Sequence, residues 1–145
     1  MPKLLKRKKE DQQEKSLPCN FSEPSMNVMV AEQTTIEELR QRCARYLELL
    51  KSLQPSQENV MIRATNFTVG SVQQLIQDNP DSTFLRVYYG IEETGEHIMF
   101  MGAVTEGAMA TASAEGTPEA GTDYVDTCCS CPPMGDCKND ELLES

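Results

Sequence analysis

The stretch that decides the fold runs from Thr83 to Val104, TFLRVYYGIEETGEHIMFMGAV. Two runs rich in β-branched and aromatic residues flank IEETGE, where Gly95 supplies the backbone freedom that a tight turn requires. The spacing predicts an antiparallel hairpin with strands over 84–91 and 97–104. Leu85, Val87 and Tyr89 alternate with Phe84, Arg86 and Tyr88, so apolar or aromatic surface lies on both faces. Such a hairpin calls for helices on one face and something less regular on the other.

Upstream, NVMIRATNF (Asn59 to Phe67) alternates with Val60, Ile62 and Ala64 on one face, which predicts a third strand over 60–66. Thr68 then caps VGSVQQLIQDNP. Its Val69, Val72, Leu75 and Ile76 share one side of a helix over 69–78, and Asn79-Pro80 stops it. The strongest helix is TTIEELRQRCARYLELLKSLQP, Thr34 to Pro55. Thr34 with Glu37, or Thr35 with Glu38, forms a capping box. Ile36, Leu39, Cys43, Tyr46, Leu47, Leu50 and Leu53 follow helical spacing, and Pro55 ends the segment. The same residues fit three heptads, so a homodimer through 36–53 competes with packing on the protein's own sheet. Cys43 reads most simply as a small buried hydrophobe.

These elements give the expected fold class: α+β, with a small three-stranded antiparallel sheet (60–66, 84–91, 97–104) packed by two helices (35–53 and 69–78). The flanks differ in composition. Residues 1–30 lack periodicity and hold Pro18 and Pro24, and TEGAMATASAEGTPEAGT (Thr105 to Thr122) cannot bury enough apolar area to offset its ordering entropy. The expected organisation is a basic, mostly disordered segment 1–30, a folded domain 31–104, and a flexible acidic linker with a cysteine-rich tail, 105–145. DYVDT within that tail reads as a short extended segment.

Charge follows the same division. Residues 1–15 hold six Lys/Arg against three acids, 16–91 six against eight, and 92–145 one against twelve, within a net charge of −10. Such a chain is repelled by phosphate backbones, so no nucleic-acid partner is expected. KLLKRKK (Lys3 to Lys9) is the local exception and reads as a solvated tail. The N-terminus has a basic region but no apolar stretch of a secretory signal, and no run approaches the roughly 18 apolar residues of a membrane span. The expected location is cytoplasmic, where thiols stay reduced.

Four of the six cysteines fall in CCSCPPMGDC, Cys128 to Cys137. Cys128 and Cys131 form a CxxC, the usual half of a tetrahedral zinc site. Cys137 is a third ligand, and Cys129, Cys19, Asp136 and His97 compete for the fourth place. Pro132-Pro133 stiffens the segment between Cys131 and Cys137. The candidate metal ligands are therefore Cys128, Cys131 and Cys137, with zinc as the cofactor. An inert tail and a structural disulfide stay open beside it. Redox catalysis is disfavoured, because Asp123, Asp126, Asp136, Asp140 and Glu141 oppose thiolate formation.

No GxGxxG, phosphate-binding loop or nucleophile elbow is present, and the single histidine weakens any triad. EETGE gathers Glu92, Glu93 and Glu96 at a turn, with no calcium-loop spacing. An enzyme would need a pocket near Arg86, Tyr88 and His97. The order of the helix, IRATNFTVGSVQQLIQ, LRVYYGIEETGEHIMFMGAV, the linker and CPPMGDC resembles a group of small uncharacterised bacterial α+β proteins. In these an Arg-x-Tyr-x-Gly strand (here Arg86, Tyr88, Gly90) opens a hairpin, and many end in a Cys-Pro-Pro tail (here Cys131-Pro132-Pro133). The vicinal pair Cys128-Cys129, the long linker and the wide gap before Cys137 depart from that pattern. The resemblance implies an α+β domain and transfers no catalytic residue. The expected function is a non-enzymatic soluble interaction or accessory protein with a protein partner. A zinc-binding protein and an enzyme with a site in the α+β body are the alternatives.

Overall fold

The computed structural model describes residues 1–8, 19–105, 121–132 and 139–143. In chain order they form β1 (Lys3–Arg7), a 3-10 turn (Pro24–Met26), β2 (Met29–Gln33), α1 (Ile36–Ser52) and β3 (Ala64–Asn66). There follow α2 (Val69–Asp78), β4 (Phe84–Ile91), β5 (His97–Val104), β6 (Tyr124–Asp126) and β7 (Cys129–Cys131). The class is α+β, as expected, but the strands divide into three sheets: β1-β2, β3-β7 and β4-β5-β6. No helix among the described residues is long and apolar enough to cross a membrane.

The expected sheet of 60–66, 84–91 and 97–104 packed by both helices does not form. The hairpin is right: β4 and β5 pair antiparallel from Phe84↔Val104 to Ile91↔His97. Gly95 turns the chain at φ 93°, and Glu92 N–H donates to the Glu96 carbonyl at 2.8 Å. The third strand is β6, pairing Phe100↔Asp126, Met101↔Val125 and Gly102↔Tyr124. Residues 60–63 miss the sheet because their backbone donors are satisfied elsewhere. Val60 and Met61 N–H both bond the Gln57 carbonyl at 3.0 Å, Ile62 N–H bonds the Tyr89 hydroxyl at 2.8 Å, and Arg63 N–H bonds the Cys131 carbonyl at 2.7 Å. Residues 60–62, whose donors are committed to a turn and a side chain, have no ladder left to offer, and from Arg63 the chain turns to β7.

The tail supplies what the expected third strand does not. Val125 is buried with Leu75 of α2 and Ala103 of β5, and Phe67 and Met101 pack against them. The approach of β6 is set at the end of α2. Asp78 accepts the Thr122 N–H at 2.7 Å, and Asn79 Nδ2 donates to the carbonyls of Leu75 (2.8 Å) and Thr122 (2.7 Å). The Thr122 N–H bond, first among the causes, holds the Asp78 carboxyl below the usual aspartate range. Gly121 is needed here, since a Cβ on it would lie 2.8 Å from Asp78 Cγ.

β7 pairs with β3 through Ala64↔Cys131, Thr65↔Ser130 and Asn66↔Cys129. The hydroxyls of Thr65, Thr127 and Ser130 bond one another across this ladder, so the buried Ser130 is satisfied. The two flanks expected to be largely disordered thus both contain strands, and β6 falls within DYVDT, the segment that reads as extended. At the N-terminus β1 pairs with β2 from Lys3↔Gln33 to Arg7↔Met29, and Lys6 Nζ lies 2.9 Å from Glu32. The basic run is in part a strand, and its Lys6 meets an opposing carboxylate.

α1 follows its sequence signals closely. Thr35 accepts the Glu38 N–H at 3.0 Å and Glu38 accepts the Thr35 N–H at 3.1 Å, which closes the capping box. Thr34 donates to the same carboxylate, and that bond is the first cause holding the Glu38 carboxyl below its usual range. The helix does not lie on the three-stranded sheet. Leu47 and Leu50 are buried, and the Tyr46 hydroxyl donates to the Ile62 carbonyl at 3.0 Å. Arg40 Nε reaches the Glu141 carbonyl at 3.0 Å. α1 is tied to the 57–63 turn through Tyr46 and to residues 139–143 through Arg40, and the helix that lies against β5 and β6 is α2.

Candidate interaction surface

The site follows from the pairing of β4. Glu92 N–H bonds Glu96 O across the hairpin, and Thr127 N–H bonds Met99 O across the next ladder. In an antiparallel ladder the backbone groups of successive residues point alternately to the two sides. Both bonds therefore assign the even residues of β5 to β4 and the odd ones to β6. By the same register the even residues of β4 face β5, while Leu85, Val87, Tyr89 and Ile91 aim their N–H and C=O groups outward. Among the described residues no strand pairs with that outer edge.

The side chains of the same four residues are exposed, by 42% at Leu85, 47% at Val87, 43% at Tyr89 and 63% at Ile91. Their cross-strand partners Ala103, Met101, Met99 and His97 are buried or half-buried, and Leu75 of α2 and Phe67 pack with Ala103 and Met101 on the β5 and β6 side of this face. The cover stops short of β4. One row of residues thus presents both unpaired backbone groups and apolar side chains. Edge strands in folded proteins are usually blunted by proline, lysine or an inward charge. β4 has no proline or lysine, and its one charge, Arg86, lies on the opposite face.

That opposite face is aromatic and largely occupied. Tyr88 stacks on Phe100 at 5.0 Å, Tyr124 meets both edge-on at 6.4 and 6.1 Å, and Phe21 packs on Phe84 at 4.9 Å. The Arg86 guanidinium stands 5.7 Å from the Phe21 ring centre. At the other end Tyr89 is fixed, since its hydroxyl takes the Ile62 N–H at 2.8 Å and lies 3.0 Å from His97 Nδ1.

Arg86, Tyr88 and His97 are not brought together: the first two share the aromatic face, and His97 projects from the other. His97 borders a shallow cleft of about 190 Å³ with Asn59, Val60, Gly95, Glu96 and Pro132. A second, polar cleft of about 450 Å³ lies between β1, β2 and α1. It is lined by Lys6, Arg42 and Arg45 but also by Glu32 and Glu38, so its charges largely cancel.

The cysteines divide by state. Cys131 is buried and disulfide-bonded, whereas Cys19, Cys43, Cys128 and Cys129 carry free thiols. Cys137 lies outside the described residues. Cys128 is exposed just before β7, with its N–H on the Asn66 carbonyl at 2.7 Å. Its hydrogen bond with Cys129 is the first cause pushing its thiol up. Among the described residues no three His, Cys, Asp or Glu side chains come together to hold a metal. Cysteine binds zinc as the thiolate, so the set Cys128, Cys131 and Cys137 requires Cys131 in its reduced form. Alkylation of denatured, unreduced protein is expected to label Cys19, Cys43, Cys128 and Cys129 and to spare Cys131. Peptide mapping checks this, and quantitative labelling of Cys131 would contradict the disulfide.

No family model matches the chain, and no curated protein or solved structure matches it significantly.

The β4 edge was not legible as a site. Its alternation was visible, but sequence alone does not show that β4 ends the sheet or that α2 stops before it.

Proposed function

We propose that the protein is a non-enzymatic interaction module that takes up an extended polypeptide segment along β4. The observation that carries this reading is the coincidence, on Leu85, Val87, Tyr89 and Ile91, of outward backbone groups with exposed apolar side chains. An added strand gains affinity from main-chain hydrogen bonds and selectivity from alternate side chains on one face. The segment that fits is extended, with apolar residues at alternate positions. The β4 edge is favoured over the α1 heptad because a helical seam would have to uncover the fully buried Leu50.

Selection of displayed peptides on the immobilised full chain tests the reading. Extended peptides with alternating apolar residues are expected to bind with micromolar affinity and to shift the amide resonances of Leu85, Val87, Tyr89 and Ile91. Val87→Lys is expected to weaken them at least about tenfold, because it places a gatekeeper charge on the docking row. Peptides indifferent to that substitution would sink the proposal.

A further inference from the structure

The docking edge is complementary to itself, and we infer that the strand it takes up is β4 of a second copy of this chain. The inference rests on the interaction reading above and names the partner. Two β4 strands laid antiparallel about a twofold axis at Tyr88 set Leu85 opposite the second copy's Ile91 and Val87 opposite its Tyr89. The same pairs repeat in reverse by symmetry. All four exposed apolar residues then face one another, and none meets a polar residue. The backbone parity agrees. Odd residues carry the outward N–H and C=O groups, and this register pairs odd with odd, so each pair exchanges two hydrogen bonds. A shift of the axis to Val87 would leave Ile91 against Thr83, and a shift to Tyr89 would leave Leu85 against Glu93.

The even residues supply charge complementarity. In the same register Arg86 lies opposite the second copy's Gly90, which has no side chain to obstruct it. The next residue on that face is the second copy's Glu92, within reach of a long side chain across the diagonal. The contact occurs twice by symmetry. The product is one continuous sheet in the order β6-β5-β4-β4-β5-β6 with a closed, isologous interface. An edge-to-edge contact of this extent belongs to the small, transient class below roughly 1,200 Å², so the dimer forms reversibly with concentration.

Sedimentation equilibrium of the full chain, followed from micromolar to millimolar concentration, tests this. The mass is expected to rise from 16.2 kDa toward twice that value. Val87→Lys is expected to keep the single-chain mass with an unchanged circular dichroism spectrum. Leu53→Lys, which charges the exposed end of the α1 heptad, should associate like the wild type. Glu92→Arg should weaken association about three- to tenfold, and Arg86→Glu/Glu92→Arg should restore it. A wild-type chain of single mass at millimolar concentration overturns the dimer, and Val87-sensitive peptide binding would then leave the docking reading standing without it. A doubled mass untouched by Val87→Lys overturns it as well, since the contact would lie elsewhere. Failure of the charge swap to rescue overturns the register. Absence of both association and peptide binding would remove both proposals.

Discussion

Val125→Asp is expected to unfold the three-stranded sheet, although residue 125 lies in a segment that reads as tail. Val125 is 7% exposed, and the groups around it are Leu75, Ala103, Phe67 and Met101. None of these offers a hydrogen bond or an opposite charge from its side chain. A carboxylate placed there must remain charged in apolar surroundings or bind a proton, and either course costs at least about 3 kcal/mol. That is a large share of the 5–15 kcal/mol typical of folded domains. The neighbouring Asp126 is exposed, so Asp126→Asn is expected to stay within about 0.5 kcal/mol of the wild type. Thermal melts followed by circular dichroism decide the matter. If Val125→Asp melts like the wild type, the segment from residue 121 contributes no strand, and the core described above is wrong.

The second large effect concerns which face of α1 is buried. Leu50→Ala is expected to cost about 2–5 kcal/mol, because the side chain is fully enclosed and its loss leaves a cavity. Leu49→Ala, one residue earlier and 55% exposed, is expected to change stability by no more than about 0.5 kcal/mol. Urea titrations of the two variants provide the comparison. Similar midpoints would mean that α1 buries another face, or that its apolar stripe is covered only in an oligomer.

The local chemistry of the chain was largely legible. Thr35 and Glu38 announce the start of α1, and Thr68 announces α2, whose side chain accepts the Ser71 N–H. Gly95 marks the hairpin between two apolar runs. These signals act within a few residues, where a side chain and the backbone group it satisfies are near neighbours in the chain. Residues 64–66 do form a strand, but beside β7, and 60–63 misled because alternation alone does not say whether the backbone donors are free for a ladder in the three-stranded sheet. Here Gln57, Tyr89 and Cys131 take them. The segment at 124–131 was undervalued because it is short and bordered by a run poor in large apolar residues. The ladders to β5 and β3, the buried Val125 and the hydroxyls of Thr65, Thr127 and Ser130 hold it in two sheets.

The candidate site divides in the same way. The row Leu85, Val87, Tyr89 and Ile91 is visible as a period of two, and a period of two assigns residues to faces. It does not say which face a helix covers or whether a strand lies at an edge. Those facts depend on α2 stopping over β5 and β6, and on β6 joining β5 from 20 residues beyond its end.

By itself, then, the sequence determined the capped helices, the hairpin and its turn, because each rests on interactions between residues close along the chain. Only the tertiary structure decided that β6 rather than 60–66 completes the sheet, that α2 is the helix lying against it, and that among the described residues no strand pairs with the outer edge of β4. Strand partners are chosen by the apolar area they bury and the backbone groups they satisfy at a distance, and neither quantity is written in a local pattern.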